Sequence, residues 1–137
     1  MPTPELPTTI DDLRTWLIIQ GFQEEERFYD SRSFGDWLIV LARPPCRVRI
    51  VRDRSQWSID ISGEHIPRWY DTDLWQACLA GGEAVPRVIP LEDQIAFVRT
   101  SLDGIEAALR SPQELERCLS LQRDARALRR EERRRGH

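Results

Sequence analysis

Hydrophobic residues recur with a helical period at both ends of the chain, while its middle shows the two-residue period of β-strands. Four candidate strands follow from this pattern, at residues 22–30, 37–42, 46–53 and 56–61. One helix is predicted before the strands and three after them. This order predicts an α+β fold, an antiparallel sheet of about four strands with an N-terminal helix and two or three C-terminal helices packed on one face.

Short turns fix the register of the last three strands. Turns at residues 44–45 and 54–55 pair Arg43 with Cys46 and Asp53 with Gln56. One face of the sheet then collects the apolar side chains Trp37, Ile39, Leu41, Val48, Ile50, Trp57, Ile59 and Ile61. A slip of one residue would turn all of them to the other face, so the apolar pattern supports this register.

The same register predicts two contacts of arginine side chains. Arg52 lies between Trp37 and Trp57, in a position for a cation–π contact. Arg49 lies opposite Asp60 on the other face, which is too polar to form a second core.

Capping residues predict where the first two helices begin and end. Thr9 caps a helix over residues 10–20 that ends at Gly21. Asp71 or Thr72 caps a short helix that Gly81-Gly82 closes.

The last two helices are predicted from apolar seams. One follows Pro90 with the seam Leu91, Ile95, Val98, Leu102, Ile105 and Leu109. The other begins with a capping box at Ser111-Pro112-Gln113-Glu114, and its stripe is Leu115, Cys118, Leu121, Ala125 and Leu128. We therefore predict a core domain over residues 1–110 and a C-terminal helix with an Arg-rich frayed end over 111–137.

The composition places the chain among globular proteins. Its 137 residues are 40% hydrophobic, which is enough for one domain with its own core. The longest apolar run, residues 37–42, is too short to cross a bilayer, and residues 1–9 lack the features of a signal peptide. Cys46, Cys78 and Cys118 are widely spaced, so we expect buried free thiols and a cytoplasmic protein.

Charge is distributed unevenly along the chain, although the net charge is only −3. Residues 1–30 contain seven acidic and two basic side chains, whereas residues 43–54 contain five basic and one acidic. Residues 129–135 contain five arginines and two glutamates. Such a dipolar surface steers encounters with other macromolecules.

No pattern of chemical groups predicts an enzyme. His65 is the only internal histidine, and no cysteine lies near enough in sequence to form a zinc site with it. Asp71-Thr72-Asp73 resembles a metal-binding pair, but helix capping accounts for it. Gly81-Gly82 lacks the lysine of a phosphate-binding loop. We predict no catalytic residue, no metal and no cofactor.

Glu24, Glu26 and Asp30 are predicted to point to one side of the first strand and Glu25 to the other. These carboxylates either protect an edge strand from aggregation or imitate phosphate and dock into a basic cleft of a partner. Trp69 and Tyr70 follow Pro67 and either pack at the rim of the core or anchor an interface.

The arginine-rich segments suggest nucleic acid as an alternative partner. Arg47 and Arg49, together with the Arg-rich tail, are the groups that would contact phosphates. The tail also contains Glu131 and Glu132 and lies at the C-terminal end of a helix, where arginine is favourable without any partner. We therefore do not expect nucleic acid as the partner.

A series of short motifs is similar to small proteins of high-GC bacteria, some of which resemble immunity proteins of polymorphic toxin systems. The motifs are Asp12-Leu13-x-x-Trp16-Leu17-x-x-x-Gly21-Phe22, Phe34-Gly35-Asp36, Val51-Arg52-Asp53-Arg54-Ser55-Gln56-Trp57, Trp69-Tyr70-Asp71-x-Asp73-Leu74-Trp75-x-Ala77-Cys78-Leu79 and Leu91-Glu92-Asp93-Gln94. They cover about residues 10–105 and leave out the last helix. The resemblance implies an inhibitor that binds a cognate toxin and occludes its active site.

The sequence thus predicts a non-catalytic binding protein whose partner is another protein, with no membrane contact. Its candidate binding residues are Glu24, Glu26, Asp30, Trp69 and Tyr70. Two alternatives remain open. One is a structural or adaptor subunit that docks through its C-terminal helix, and the other is the nucleic-acid-associated protein. The oligomeric state is not predicted.

Overall fold

The chain folds into an N-terminal helix, a five-stranded sheet and three further helices. The structure, a computed structural model, describes residues 3–33, 35–85 and 87–136. Phe34 of the Phe34-Gly35-Asp36 motif and the terminal His137 lie outside the described residues. The elements are α1 (Thr8–Ile19), β1 (Gln23–Asp30), a 3₁₀ turn (Ser31–Ser33), β2 (Asp36–Arg43), β3 (Cys46–Asp53), β4 (Gln56–Gly63), β5 (Ile66–Asp71), α2 (Thr72–Ala80), α3 (Leu91–Ala108) and α4 (Pro112–Arg135).

The α+β class is confirmed, but the sheet has five strands rather than about four. All neighbouring strands are antiparallel, and their spatial order is their order in sequence, β1-β2-β3-β4-β5. The additional strand is β5, which contains Pro67. An edge strand tolerates proline because one side of its backbone has no strand to bond.

The predicted register of β2, β3 and β4 is confirmed. Arg43 pairs with Cys46, Asp53 with Gln56 and Arg49 with Asp60. Residues 54 and 55 both have positive φ, as a two-residue type I′ turn requires. The hairpins therefore place the large apolar side chains of three strands on one face.

A single core joins this face to all four helices. The core cluster contains Ile39, Ile50 and Ile59 from the sheet and buried side chains from every helix. Trp75 of α2 is fully buried and donates its indole N–H to the carbonyl of Ile61, at 3.0 Å. In α3 the predicted seam is buried or partly buried along its whole length. Leu115 and Leu119 of α4 belong to the same cluster.

Helix ends follow the predictions in part. Gly21 ends α1 with positive φ, and Asp71 caps α2 by accepting the Leu74 N–H at 3.1 Å. Thr9 does not cap α1, since the helix begins at Thr8, two residues earlier than predicted, and Pro7 is its N-cap. Ser111 makes no side-chain cap bond, although the adjacent proline occupies the first turn of α4 as predicted.

The predicted stripe of α4 is wrong beyond its first turns. Leu121 and Leu128 are 63% and 61% exposed. The side of the helix that meets the protein continues instead through Gln122, Arg126 and Arg129. The partners of these three side chains are backbone carbonyls and an aspartate. Polar side chains can form hydrogen bonds with such groups, whereas leucine cannot.

The expectation of three free thiols is wrong for two of them. Cys78 of α2 and Cys118 of α4 form a disulfide, although 40 residues separate them. Cys46 is a free, buried thiol as predicted. Burial, together with the nearby carboxylate of Glu106, raises the pKa of Cys46 to about 12, so it stays protonated.

Candidate interaction surface

One face of the sheet has no helix packed over it in the described chain. We call this the outer face and define it by Glu26, Phe28, Leu38, Val40, Arg47, Arg49, Val51, Asp60 and Trp69. The strand pairs Glu26–Val40, Val40–Arg49 and Arg49–Asp60 place these residues on a common side. The buried apolar side chains of the helices all belong to the core cluster on the opposite side, which does not include Val40.

A β-bulge decides which carboxylates reach the outer face. Glu24 pairs with Leu41 and Glu26 with Val40, so Glu25 is one extra residue in β1. The prediction that Glu24 and Glu26 point the same way and Glu25 the other is therefore wrong, since Glu25 turns with Glu26 to the side of Arg47. Glu24 turns to the helix side, where its Oε1 lies 2.7 Å from Arg27 Nη2.

Acidic and apolar groups meet along β1 on the outer face. Glu26 is exposed and pairs with Val40, and Phe28 two residues later is 57% exposed. Asp30 is half-buried at the end of the same strand, and its Oδ1 accepts the Arg32 N–H at 2.9 Å. Two of the three predicted carboxylates thus flank an exposed aromatic ring.

Two arginines of β3 stack on the indole of Trp69. The guanidinium carbons of Arg47 and Arg49 lie 5.1 and 4.8 Å from the ring centroid. Arg49 also bonds Asp60, with its Nε and Nη2 at 3.0 and 2.5 Å from Oδ2, and Arg47 lies 3.6 Å from Glu25. We call these five residues the Trp69 cluster. The cation–π contacts hold the half-buried indole against the sheet.

Tyr70 does not belong to this surface. It is 2% exposed, and its hydroxyl is 3.1 Å from the Ser120 hydroxyl of α4. Strand alternation explains the difference, since adjacent residues of β5 point to opposite faces. Of the two alternatives left open for these residues, Tyr70 packs in the core and is not a surface anchor, whereas Trp69 lies half-buried at the surface.

The raised pKa of Asp60 predicts that the free energy of unfolding depends on pH. Burial raises the pKa of Asp60 above its usual 3.8, as does Asp71, although Arg49 lowers it. A carboxyl whose pKa is raised on folding destabilises the folded state once it ionises, so stability falls as the pH rises above 3.8. We expect wild type to lose stability relative to Asp60→Asn between pH about 3.5 and about 7, measured by urea unfolding. A difference that grows in the other direction would contradict this assignment.

The arginines proposed for nucleic acid are engaged within the protein. Arg47 and Arg49 contact Glu25, Asp60 and the Trp69 ring. At the end of α4, Arg129 donates to the carbonyl of Ala84, while residues 130–135 are exposed. The β3 arginines therefore form part of a charge-balanced cluster.

The remaining candidates for chemistry have structural partners or are exposed. Asp71 caps α2, and Asp73 accepts the Val85 N–H at 2.8 Å, so the Asp-x-Asp pair serves the backbone. His65 is exposed in the β4–β5 turn. Over residues 3–33, 35–85 and 87–136, no three His, Cys, Asp or Glu side chains are grouped to hold a metal ion. No helix in these ranges has the length and apolar character to cross a membrane.

Comparison of the chain with protein-family models, with curated proteins and with solved structures gives no match. The function must therefore be inferred from the chemistry of the chain. The Trp69 stacking was missed by sequence reasoning because β5 was not recognised as a strand. In a strand, Trp69 and Tyr70 point to opposite faces, so a core position for Tyr70 places Trp69 on the face of Arg49. Recognising β5 as a strand would therefore have predicted the contact between Trp69 and Arg49.

Proposed function

We propose that the protein is a non-catalytic binding module, an immunity-type inhibitor that covers the active site of a cognate toxin with its outer face. One observation carries the proposal, the combination on that face of an exposed Phe28, Glu26 and the Trp69 cluster, with Asp30 at the end of the same strand. Aromatic and arginine side chains supply most of the binding energy at interfaces. On this proposal the protein acts in the cytoplasm, without a metal or cofactor.

The carboxylates along β1 indicate the charge of the partner that the outer face fits. Glu26 and Asp30 lie on the open side of β1, and Glu25 of the bulge turns to the same side. Carboxylates in this arrangement complement the basic cleft of an enzyme that acts on phosphate-containing substrates. The partner we propose is therefore a toxin domain with a basic active site, which the acidic strand attracts and the aromatic groups hold.

The product of the neighbouring reading frame tests this proposal. If it contains a toxin domain, co-expression with this protein restores growth of the host cell. A domain that arrests growth whether or not this protein is present contradicts the proposal.

The two parts of the surface predict different kinetic effects. We expect Glu26→Arg/Asp30→Arg to slow association with the toxin domain by about tenfold at low salt, with less effect at high salt, because steering is screened. Trp69→Ala is expected to speed dissociation by about 30-fold, since it removes an interface anchor. Surface plasmon resonance at two ionic strengths separates the two rates.

A matched charge reversal controls for net charge. Asp103→Arg/Asp124→Arg changes two exposed acidic residues of α3 and α4 and is expected to leave association within about twofold. Circular dichroism melts confirm that each variant is folded. Equal slowing by both reversals, or an unchanged dissociation rate for Trp69→Ala, contradicts binding through the outer face.

An adaptor function has one observation in its favour, the exposure of Leu121 and Leu128 on α4. They are seven residues apart and so lie on one side of the helix. Removing the whole helix would also remove Leu115 and Leu119 from the core, so point variants are the cleaner test. Leu121→Ser/Leu128→Ser leaves toxin neutralisation intact if the outer face is the binding surface, and abolishes partner binding if α4 is.

A further inference from the structure

The disulfide between Cys78 and Cys118 joins the last turn of α2 to the first half of α4. Its two Cα atoms are 6.0 Å apart. Leu115 and Leu119, the buried apolar residues of α4, lie on either side of Cys118 in sequence. The covalent bond therefore holds the part of α4 that enters the core.

The disulfide is open to solvent, in contrast to the third cysteine. Cys78 and Cys118 are half-buried and line an open groove of about 340 Å³ together with Ser111 and Glu114. Cys46 has no exposed surface and does not form a thiolate at neutral pH. An attacking thiolate can thus reach the bonded pair but not Cys46.

The rest of α4 is attached by polar contacts. Gln122 bonds the backbone at Gly82 and Ala84, Arg126 bonds Asp71, and Arg129 bonds the Ala84 carbonyl. Such contacts compete with water and hold a helix less firmly than apolar burial does. Without the disulfide, α4 is held by two buried leucines, by the Tyr70–Ser120 hydrogen bond and by these polar contacts.

We propose that the Cys78–Cys118 pair is a reversible redox site, whose reduction by a dithiol protein or glutathione loosens α4 from α2. A thiolate of the reductant attacks one sulfur, the Cys78–Cys118 bond breaks, and a mixed disulfide forms with the release of one thiolate. A second reductant thiolate then resolves the mixed disulfide. Two electrons pass to the protein, which gains two thiols on protonation, and the reductant becomes a disulfide. This inference does not depend on the proposed partner.

Limited proteolysis of the full chain tests the proposal, because α4 contains many arginines and trypsin cleaves after each. We expect protein purified without reductant to contain one free thiol after denaturation, and three after incubation of the folded protein with dithiothreitol. The rate of tryptic cleavage within α4 rises at least about tenfold on reduction, since a helix must open locally to be cut. Reoxidation with glutathione disulfide restores resistance.

Variants separate the redox site from a general effect of reductant. Cys78→Ser/Cys118→Ser is cleaved rapidly with or without dithiothreitol, whereas Cys46→Ala responds as the wild type does. The proposal is overturned if air-purified protein contains three thiols, or if the disulfide survives dithiothreitol in the folded protein. If trypsin cleaves reduced and oxidised wild type at the same rate, reduction does not loosen α4 and that part of the proposal is overturned. This test compares two redox states of one protein, so it does not depend on the folding of any variant.

Discussion

Gln94→Leu is expected to lower the free energy of unfolding by about 3 kcal/mol, although glutamine and leucine are similar in size. The Gln94 side chain is 7% exposed and makes two hydrogen bonds to backbone groups. Its Oε1 accepts the Ile59 N–H and its Nε2 donates to the Ile89 carbonyl, both at 2.8 Å. Leucine satisfies neither group, and an unpaired buried amide or carbonyl costs about 1–3 kcal/mol.

The length of β5 explains why a side chain bonds β4 at this point. The pairing of β5 with β4 ends where Asp71 meets Asp60. Ile59 is the next residue of β4, so its N–H lies beyond the end of the neighbouring strand. Gln94, in the first turns of α3, accepts the Ile59 N–H that a longer β5 would have bonded. The same hydrogen bond connects α3 to the sheet.

Urea unfolding measures the loss of stability, and hydrogen exchange locates it. The Ile59 amide is expected to exchange faster in Gln94→Leu than in the wild type, because its bond partner is gone. Gln76→Leu, at an exposed position of α2, is the matched control and is expected to change stability by less than about 0.5 kcal/mol. Equal losses in the two variants, or unchanged protection of Ile59, would show that Gln94 does not seal the edge of β4.

The register of β2, β3 and β4 was predictable because the positions of the turns and the pattern of apolar side chains indicate the same strand pairing. Residues 44–45 and 54–55 set the pairing, and eight large apolar residues agreed on one face. In β1 this second signal is missing. Glu24, Glu25 and Glu26 are chemically identical, so the sequence contains no trace of the bulge that turns Glu24 to the helix side.

The candidate surface was predictable only in part, because it depends on tertiary contacts. Glu26, Asp30 and Trp69 were found as candidates, and the structure places them on the outer face or at the end of its first strand. Tyr70 was grouped with Trp69 because the strand of both was not recognised. The disulfide between α2 and α4 joins residues 40 apart in sequence, and no local pattern reports such a contact.

The helix α4 shows why a hydrophobic pattern misleads at a polar contact. Leu121 and Leu128 continue the apolar period, yet both are exposed. The face that meets the protein continues through Gln122 and Arg126, because α4 there meets carbonyls and Asp71 rather than apolar side chains. Asp71 therefore contributes to the attachment of α4 as well as capping α2.

Asp71→Ala is the second variant for which we expect a loss of about 3 kcal/mol. Asp71 caps α2 through the Leu74 N–H, and its two oxygens accept a bidentate pair from Arg126 at 3.1 and 2.7 Å. Removing the cap costs about 1 kcal/mol. Arg126 is 11% exposed and, without Asp71, keeps a 3.9 Å contact with Asp73 among the described residues. Its weakly paired charge then costs about 2 kcal/mol, a figure already reduced for the 36% exposure of Asp71.

Asp71→Asn and a double-mutant cycle of Asp71→Ala with Arg126→Met divide this loss between the two contacts, and Asp124→Ala is the control. Asp71→Asn retains an oxygen for the cap but not the ionic pair, so we expect it to lose about 2 kcal/mol. Asp124→Ala removes an exposed carboxylate that pairs with its neighbour Arg123, and is expected to cost less than about 0.5 kcal/mol. In urea unfolding, Asp71→Ala/Arg126→Met should be more stable than the sum of the single losses predicts, because the second change removes the stranded charge. Strict additivity would mean that the ionic pair does not hold α4, and that Asp71 acts on α2 alone.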